Sequence, residues 1–386
     1  MAAPHPSLIR NLRGLPGTLW ILLAGAFLNR FGTFLLPFLA LYLTSRGFSP
    51  SQAGLALSAF GIGNFAASFL GGHMADHVGR RSTIVISMVS SAAVVLTLSR
   101  VDSLPALIVL TLCAGISADL FRPAAAALVI DLTTPEQQLT ATALYRLAAH
   151  LGFAAGPVVG GLLVNRSFSL LFIADAATSL LFALIAITAL PRGTRQVAPP
   201  GEQGHWLTTA LSNRRFVRFL IASFAITAVT TQMDSTLALH ILGAGHSAST
   251  FGLLATVNGA LIVTLEVTLT VITQRMPERV AMAVGYLMIG VGFTLTMVAM
   301  STVAIGFTIA IWTLGEMVSI PVAGVYVAKL APDHLRGRYM GLWSGALALS
   351  LVVSPALGTR VFESSETLLW SGCGVIGVLA ALLVLL

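Results

Sequence analysis

The sequence predicts an all-α membrane protein with twelve transmembrane helices in two pseudo-symmetric, six-helix halves. Three observations carry this expectation. Of the 386 residues, 56% are hydrophobic and 9% charged, with a mean hydropathy of +0.91. A soluble surface is about a quarter charged, so a water-soluble fold of this make-up would expose large apolar patches and aggregate. The apolar residues also gather into runs of membrane length, since a bilayer core roughly 30 Å thick takes about 20 residues of helix. Finally, the chain repeats landmarks at a constant offset of 198 residues.

The runs fall at about 18–43, 51–72, 82–99, 105–128, 138–164 and 168–190, then at 216–241, 249–273, 280–300, 302–328, 336–361 and 367–386. The first is too long for the apolar core of a signal peptide and has no small-residue cleavage site behind it. The last ends with the sequence at Leu386, which leaves room for a tail beyond it. Most connections are short. The long one, 191–215, is rich in Pro, Gly and Arg and divides the chain into an N-terminal half (1–190) and a C-terminal half (216–386). It reads as a cytoplasmic linker with a short interfacial helix around Trp206 to Leu211.

Basic residues set the orientation. With the N-terminus inside, the cytoplasmic segments hold Arg10, Arg13, Arg80, Arg81, Arg192, Arg195, Arg214, Arg215, Arg218, Arg275, Arg279, Lys329, Arg336 and Arg338. The outer loops hold only Arg46, Arg100, Arg166 and Arg360. Fourteen against four places both termini in the cytoplasm by the positive-inside rule. The same rule accounts for the net charge of +7 without nucleic acid. The two cysteines, Cys113 and Cys373, lie inside apolar runs and read as core residues rather than a disulfide or a metal pair.

At the 198-residue offset, GFSPSQAGL from Gly47 meets GHSASTFGL from Gly245, Pro123 meets Pro321, Leu132 meets Leu330, and Pro157 meets Pro355. The charged segment ending at Arg81 meets the one ending at Arg279. Two parallel halves of six spans suggest a carrier that rocks around a central site.

The segment GGHMADHVGRR, read as a charged loop between spans two and three, resembles the signature loop of the major facilitator superfamily, G-x-x-x-D-x-x-G-R-R. Gly72, Asp76, Gly79, Arg80 and Arg81 stand at that spacing. His77 stands where the family often has Arg or Lys. The resemblance implies a conformational latch: Gly72 allows close helix approach, and Gly79 permits a tight turn. Asp76 would face the N-terminus of span eleven, and Arg80 would reach Asp131 at the end of span four. Inward opening would break these contacts. The second-half counterpart, Gln274 to Arg279, lacks the Asp, so the latch reads as one-sided. Span five carries LGFAAGPVVGG, which is similar to the Gly-Pro motif of the family's proton-driven exporters. There Gly152, Gly156, Gly160 and Gly161 form a small-residue stripe and Pro157 kinks the helix.

Ionisable groups within spans are costly and mark functional candidates. There are eight: Arg30, Asp119, Arg122, Arg146, Asp175, Asp234, Glu266 and Glu316. The resemblance implies that spans one, four, seven and ten line a central cavity, and all four carry charge. The three arginines all lie in the first half. Asp119 and Arg122 are three residues apart on one helix face and so can pair. Arg30 either anchors an anionic substrate or holds a carboxylate across the cavity. Glu316, Asp234 and Asp119 are the candidates for proton coupling. Arg30, Arg122, Gln232 and Asn258 are the candidates for contact with substrate. Glu266 and Asp175 are assigned structural roles, Arg146 snorkels, and His150 is packed.

The function expected is proton-coupled antiport that exports small amphipathic drugs or metabolites; the alternative is proton-linked import of a small nutrient, an anion among the options. No H-E-x-x-H, nucleophile–His constellation or phosphate loop is present, which speaks against an enzyme. No cofactor or metal is expected. The expected partners are the lipid bilayer, protons and a small molecule, with the chain working as a monomer in a bacterial plasma membrane.

Overall fold

A computed structural model describes residues 14–191, 206–273, 275–332 and 335–386. Among them, twelve helices are long and apolar enough to cross a membrane: Gly17–Ser45, Pro50–His77, Arg80–Leu98, Leu104–Asp131, Thr140–Arg166 and Phe168–Ala189, then Arg214–Gly243, Ala248–Glu266, Glu278–Val298, Thr302–Leu330, Arg338–Ser364 and Glu366–Leu385. These are spans one to twelve, and each expected run is one of them. The greater part of the expected linker lies outside the described residues, as do Arg10, Arg13, Arg192 and Arg195. Its short helix is present as Trp206–Ser212. Cys113 and Cys373 are free.

The helices begin where the local chemistry dictates. Ser49 and Gln52 form a reciprocal capping box, with Pro50 in the first turn of span two. Ser301 and Ser365 accept the amides of Ala304 and Leu368 at 3.2 Å each, and Asn213 accepts that of Phe216 at 3.2 Å. One boundary differs from the sequence reading. Span two runs on to His77, so most of GGHMADHVGRR is helix and not loop. Nothing before Gly79 breaks the helix. Gly79 then turns the chain at φ +103°, a conformation that a side chain opposes.

Two seams join the halves: span two lies along span eleven, and span five along span eight. The repeat is visible in them. A Cβ on Gly54 would come 2.6 Å from the carbonyl oxygen of Pro355. At the other seam, Gly252 meets the carbonyl of Pro157 in the same way. Both pairs are related by the 198-residue offset, as are Gly47 and Gly245, whose φ values are +86° and +84°. Without a hydrophobic force between helices in lipid, such backbone-to-backbone packing is what holds spans together.

The seams are tight at one end only. There Ser51 donates its amide to Glu363 at 3.1 Å, Ser58 Oγ accepts from the amide of Ala356 at 3.1 Å, and Asn165 donates to Ser249 at 2.7 Å. Phe38 and Phe251 meet edge to face at 5.4 Å. At the opposite, arginine-rich end, a Cβ added to Gly72, Gly341 or Gly345 would meet nothing within 4 Å. Spans two and eleven therefore part toward the end that carries Arg80, Arg81, Arg214 and Arg279.

Spans one and seven are irregular at matching heights. Span one is interrupted between helices Gly17–Gly32 and Leu35–Ser45. Asp175 of span six repairs the break: its Oδ2 accepts the amides of Phe34 and Leu35 at 3.0 Å each, satisfying donors that a helix start leaves orphaned. Span seven contains a π-helical turn, Met233–Leu237. Adding the offset to Thr33 and Phe34 gives Thr231 and Gln232, just before that turn.

Candidate functional site

A cavity of about 480 Å³ lies between the halves. The N-terminal wall presents Arg30 of span one, Arg122 of span four, and Tyr145, Arg146 and His150 of span five. The C-terminal wall presents Asp234 of span seven, Asn258 of span eight and Glu316 of span ten. One wall is thus cationic and the other acidic. Phe153, Met233, Ile262 and Leu351 supply apolar surface between them.

The cationic wall is organised by one buried carboxylate. Asp119 takes Arg30 Nη2 on Oδ1 at 3.1 Å and Arg122 Nη1 on Oδ2 at 3.5 Å. Asn64 of span two donates to the same Oδ2. Arg30 therefore holds a carboxylate, and does so from 89 residues away in sequence. The Asp119 side chain is only 9% exposed, whereas that of Arg122 is 56% exposed. Asp119 stands behind the arginines, fixing their forks, while Arg122 presents its guanidinium to the cavity. Two guanidinium groups and an amide surround this carboxylate, which sets its surroundings apart from those of Asp234 and Glu316.

The acidic wall has no such neutralisation. Glu316 Oε2 accepts from Asn258 Nδ2 at 3.2 Å, and the same amide group reaches Thr313 Oγ1 at 3.0 Å. Neither Glu316 nor Asp234 has an ion-pair partner among the described residues. Asp234 lies in the π turn, whose extra residue re-aims side chains and which recurs at functional sites.

Gln232 is not a cavity residue, contrary to the expectation from sequence. It is buried, donates to the Ala228 carbonyl at 3.0 Å, and accepts from Ser235 and Thr236 at 3.2 and 3.0 Å. It packs against Gly358 and lines a separate groove on spans seven, eleven and twelve. Its oxygen and one of its N–H groups are thus committed within its own helix, away from the central cavity. Conversely, Arg146 and His150 reach the cavity rather than snorkelling or packing away. A signal for them existed in the sequence. Tyr145, Ala149 and Phe153, with Arg146 and His150 beside them, recur at four-residue spacing and so share one face.

The span-five glycines line two contacts. A Cβ on Gly152 or Gly156 would fall 2.5 or 2.7 Å from the carbonyls of Phe27 or Phe31 in span one, and one on Gly161 would fall 2.8 Å from Ser249 Cα in span eight. Gly160 faces Phe38.

At the arginine-rich end, Arg80 is buried with Nε 2.7 Å from Asp131 Oδ2, and Arg81 donates to the Leu190 carbonyl at 3.4 Å. Asp76 makes no hydrogen bond or ion pair among the described residues. The contact within the N-terminal half is therefore closed, and Asp76 makes none with the described residues of span eleven. The second half holds an unforeseen equivalent. Glu278 and Lys329 pair, and they lie 198 residues beyond Arg80 and Asp131 with the charges reversed.

A bundle of twelve membrane-length helices, built as two repeated halves around a polar cavity, defines a secondary transporter. The chain belongs to the Major Facilitator Superfamily, whose model matches residues 22–248 and 238–386. It is a transporter and not an enzyme. It is 26% identical to the multidrug resistance protein MdtH of Aeromonas hydrophila, over 94% of each chain. It is 24% identical to a Na(+), Li(+), K(+)/H(+) antiporter of Planococcus maritimus, over 85% of each. Among solved structures, a peptide transporter POT in complex with sulfate superposes with a TM-score of 0.81 at 19% identity, covering 98% of this chain and 97% of that one.

Proposed function

We propose that the chain is a proton-coupled antiporter that exports small amphipathic compounds by alternating access. The observation that carries this reading is the acidic wall. Two carboxyl groups, Asp234 and Glu316, face the central cavity without a cation, opposite a wall of arginines. A carboxyl in such a place can take a proton from one side and release it to the other as the halves rock. Glu316, bonded by Asn258, is the principal carrier and Asp234 the second; Asp119 holds the arginines in place. The names of the multidrug resistance protein and the cation/proton antiporter support export coupled to protons. One pH unit supplies about 1.4 kcal/mol per proton and 100 mV about 2.3 kcal/mol per charge, enough together for roughly a 500-fold gradient of a neutral solute.

On this reading the arginine-rich end faces the cytoplasm of a bacterial cell, both termini lie there, and the halves 1–190 and 216–386 move as units joined by the 191–215 linker. The arrangement in which spans two and eleven part at that end is the inward-open state. The latch of Gly72, Asp76, Gly79, Arg80, Arg81 and Asp131 closes on span eleven when the halves rock outward. The stripe Gly152, Gly156, Pro157, Gly160 and Gly161 keeps span five close enough to spans one and eight to slide.

A second reading, proton-linked import of an anionic solute, is favoured by one feature, the exposed guanidinium of Arg122 beside Arg146. Proton flux in proteoliposomes under an imposed pH gradient separates the two. Export predicts protons moving opposite to an added amphipathic cation or neutral compound, with coupling lost in Glu316→Gln. Co-directional movement reverses the assignment to uptake, and solute transport without proton flux refutes coupling altogether.

A further inference from the structure

A second polar cavity lies inside the N-terminal half, at the break in span one. Its volume is about 20 Å³, and its polar lining is Asn29, Thr33, Ser91, Asp175 and Ser179. That is room for one guest the size of a water molecule. Spans one, three and six contribute these groups, and Asn29, Ser91, Asp175 and Ser179 are each at most 7% exposed.

The oxygens around this space are under-satisfied within the described chain. Asn29 donates its amide nitrogen to Met88 Sδ at 3.4 Å, while its buried Oδ1 has no hydrogen-bond partner. Thr33 commits its hydroxyl hydrogen to the Asn29 carbonyl at 2.8 Å, so Oγ1 offers only lone pairs. Asp175 gives Oδ2 to the two amides at the break, and its other oxygen makes no hydrogen bond to the described chain. The hydroxyls of Ser91 and Ser179 are likewise unbonded within it. Buried polar atoms are almost always satisfied, so such a cluster points to a guest.

We propose that this cavity binds a single sodium ion, stripped of its water. The oxygens of Asn29 and Thr33 can only accept, and so can that of Asp175 in its ionised form. A water molecule has two hydrogens to give and leaves one of three acceptors unanswered, whereas a small cation is drawn to every lone pair that borders the space. The donor set is all oxygen, which suits a hard cation and not a soft one. The one carboxylate, already shared with two backbone amides, matches a monovalent charge and would leave a divalent ion under-neutralised. The bound ion ties spans one, three and six together at the break and so braces the N-terminal half. This site is separate from the central cavity and independent of the direction of transport.

The test uses the full chain in detergent, melted while sodium chloride replaces choline chloride at constant ionic strength, with radioactive sodium retention measured in parallel. The expected result is a saturable rise in melting temperature on the order of 5 °C and one retained ion per chain. Asp175→Asn, which keeps an acceptor for the two amides, abolishes both effects. Ser179→Ala, which removes one hydroxyl and nothing that caps a helix, moves half-saturation to about tenfold higher sodium and decides the matter if Asp175→Asn does not fold. Superimposable melting curves in sodium and choline without retained ion would mean that the cavity holds water, and would overturn the proposal. Sodium dependence unchanged in the folded variants overturns it equally.

Discussion

The two ion pairs at the arginine-rich end make a sharp test of how burial sets the worth of a charge pair. Arg80–Asp131 and Glu278–Lys329 occupy equivalent positions in the repeat, each joining the start of one span to the end of the next. They differ in environment. The side chains of Arg80 and Asp131 are 6% and 18% exposed, whereas those of Lys329 and Glu278 are 64% and 35% exposed. Removing one partner of a buried pair strands the other charge and costs about 3–5 kcal/mol. An exposed pair contributes about 0.2–1 kcal/mol. Asp131→Asn should therefore lower the melting temperature by roughly 5–10 °C, and Glu278→Gln by less than about 3 °C. The low end applies at 131, because Arg80 has further interactions and Asp131 is partly solvated.

A double-mutant cycle at each pair isolates the coupling from other effects of each substitution. The assay is thermal unfolding of purified protein in detergent, with four variants per cycle and salt varied. Coupling at 80–131 should exceed coupling at 278–329 several-fold and persist at high salt, where the exposed pair fades. Arg80→Glu combined with Asp131→Lys, which copies the polarity of the second half, should recover part of the loss from either single change. Equal coupling at the two sites, or a screened pair at 80–131, would refute the argument from burial.

Three further outcomes follow from the site. Asp119→Asn leaves Arg30 and Arg122 without their shared carboxylate, and should lower thermal stability by several degrees while leaving any proton step measured through Glu316 in place; loss of proton flux with unchanged stability would count against its role as a holder. Gln232→Ala should leave substrate affinity within about twofold of the native chain, whereas Asn258→Ala, which frees Glu316 from its amide, should shift the pH at which transport is half-maximal; a large affinity loss from Gln232→Ala alone would place that residue back at the cavity. Gly252→Leu inserts a side chain against the Pro157 carbonyl, and should abolish transport with retained membrane insertion; full transport by this variant would show that the seam is not close-packed during turnover.

Much of the fold was legible because hydropathy and length are one-dimensional quantities. A run such as 302–328 needs no knowledge of its neighbours to be recognised as a span. The end of span two is not legible in hydropathy, because charge ends the apolar run at Gly72 while the helix continues to His77 and Gly79 then turns the chain. The site was less legible because rotation about a helix axis decides what faces the cavity. In lipid, both faces of a span are apolar, so little periodicity marks the inward side. Arg30 and Asp119 each stood out as an intramembrane charge, but their pairing depends on how spans one and four are turned. Gln232 and Asp234 are two residues apart, yet one bonds within its own helix and the other faces the cavity. The π turn that re-aims the chain between them has no sequence mark.

The repeat itself shows which features the architecture demands and which were free to diverge. The contacts preserved at the 198-residue offset are matters of backbone: Gly54 on Pro355 and Gly252 on Pro157, the left-handed glycines at 47 and 245, and the irregular turns in spans one and seven. These set how near the halves approach and where they bend, and each seam must do so if the two are to rock against one another. The charges obey no such symmetry. The pair at 80–131 is reversed at 278–329, and arginines face acids across the central cavity. Two identical walls would offer any two solutes the same site twice. On the proposed function, a symmetric scaffold with opposed walls gives each its own side, and the competition that exchange requires can then pass through the narrow space between them.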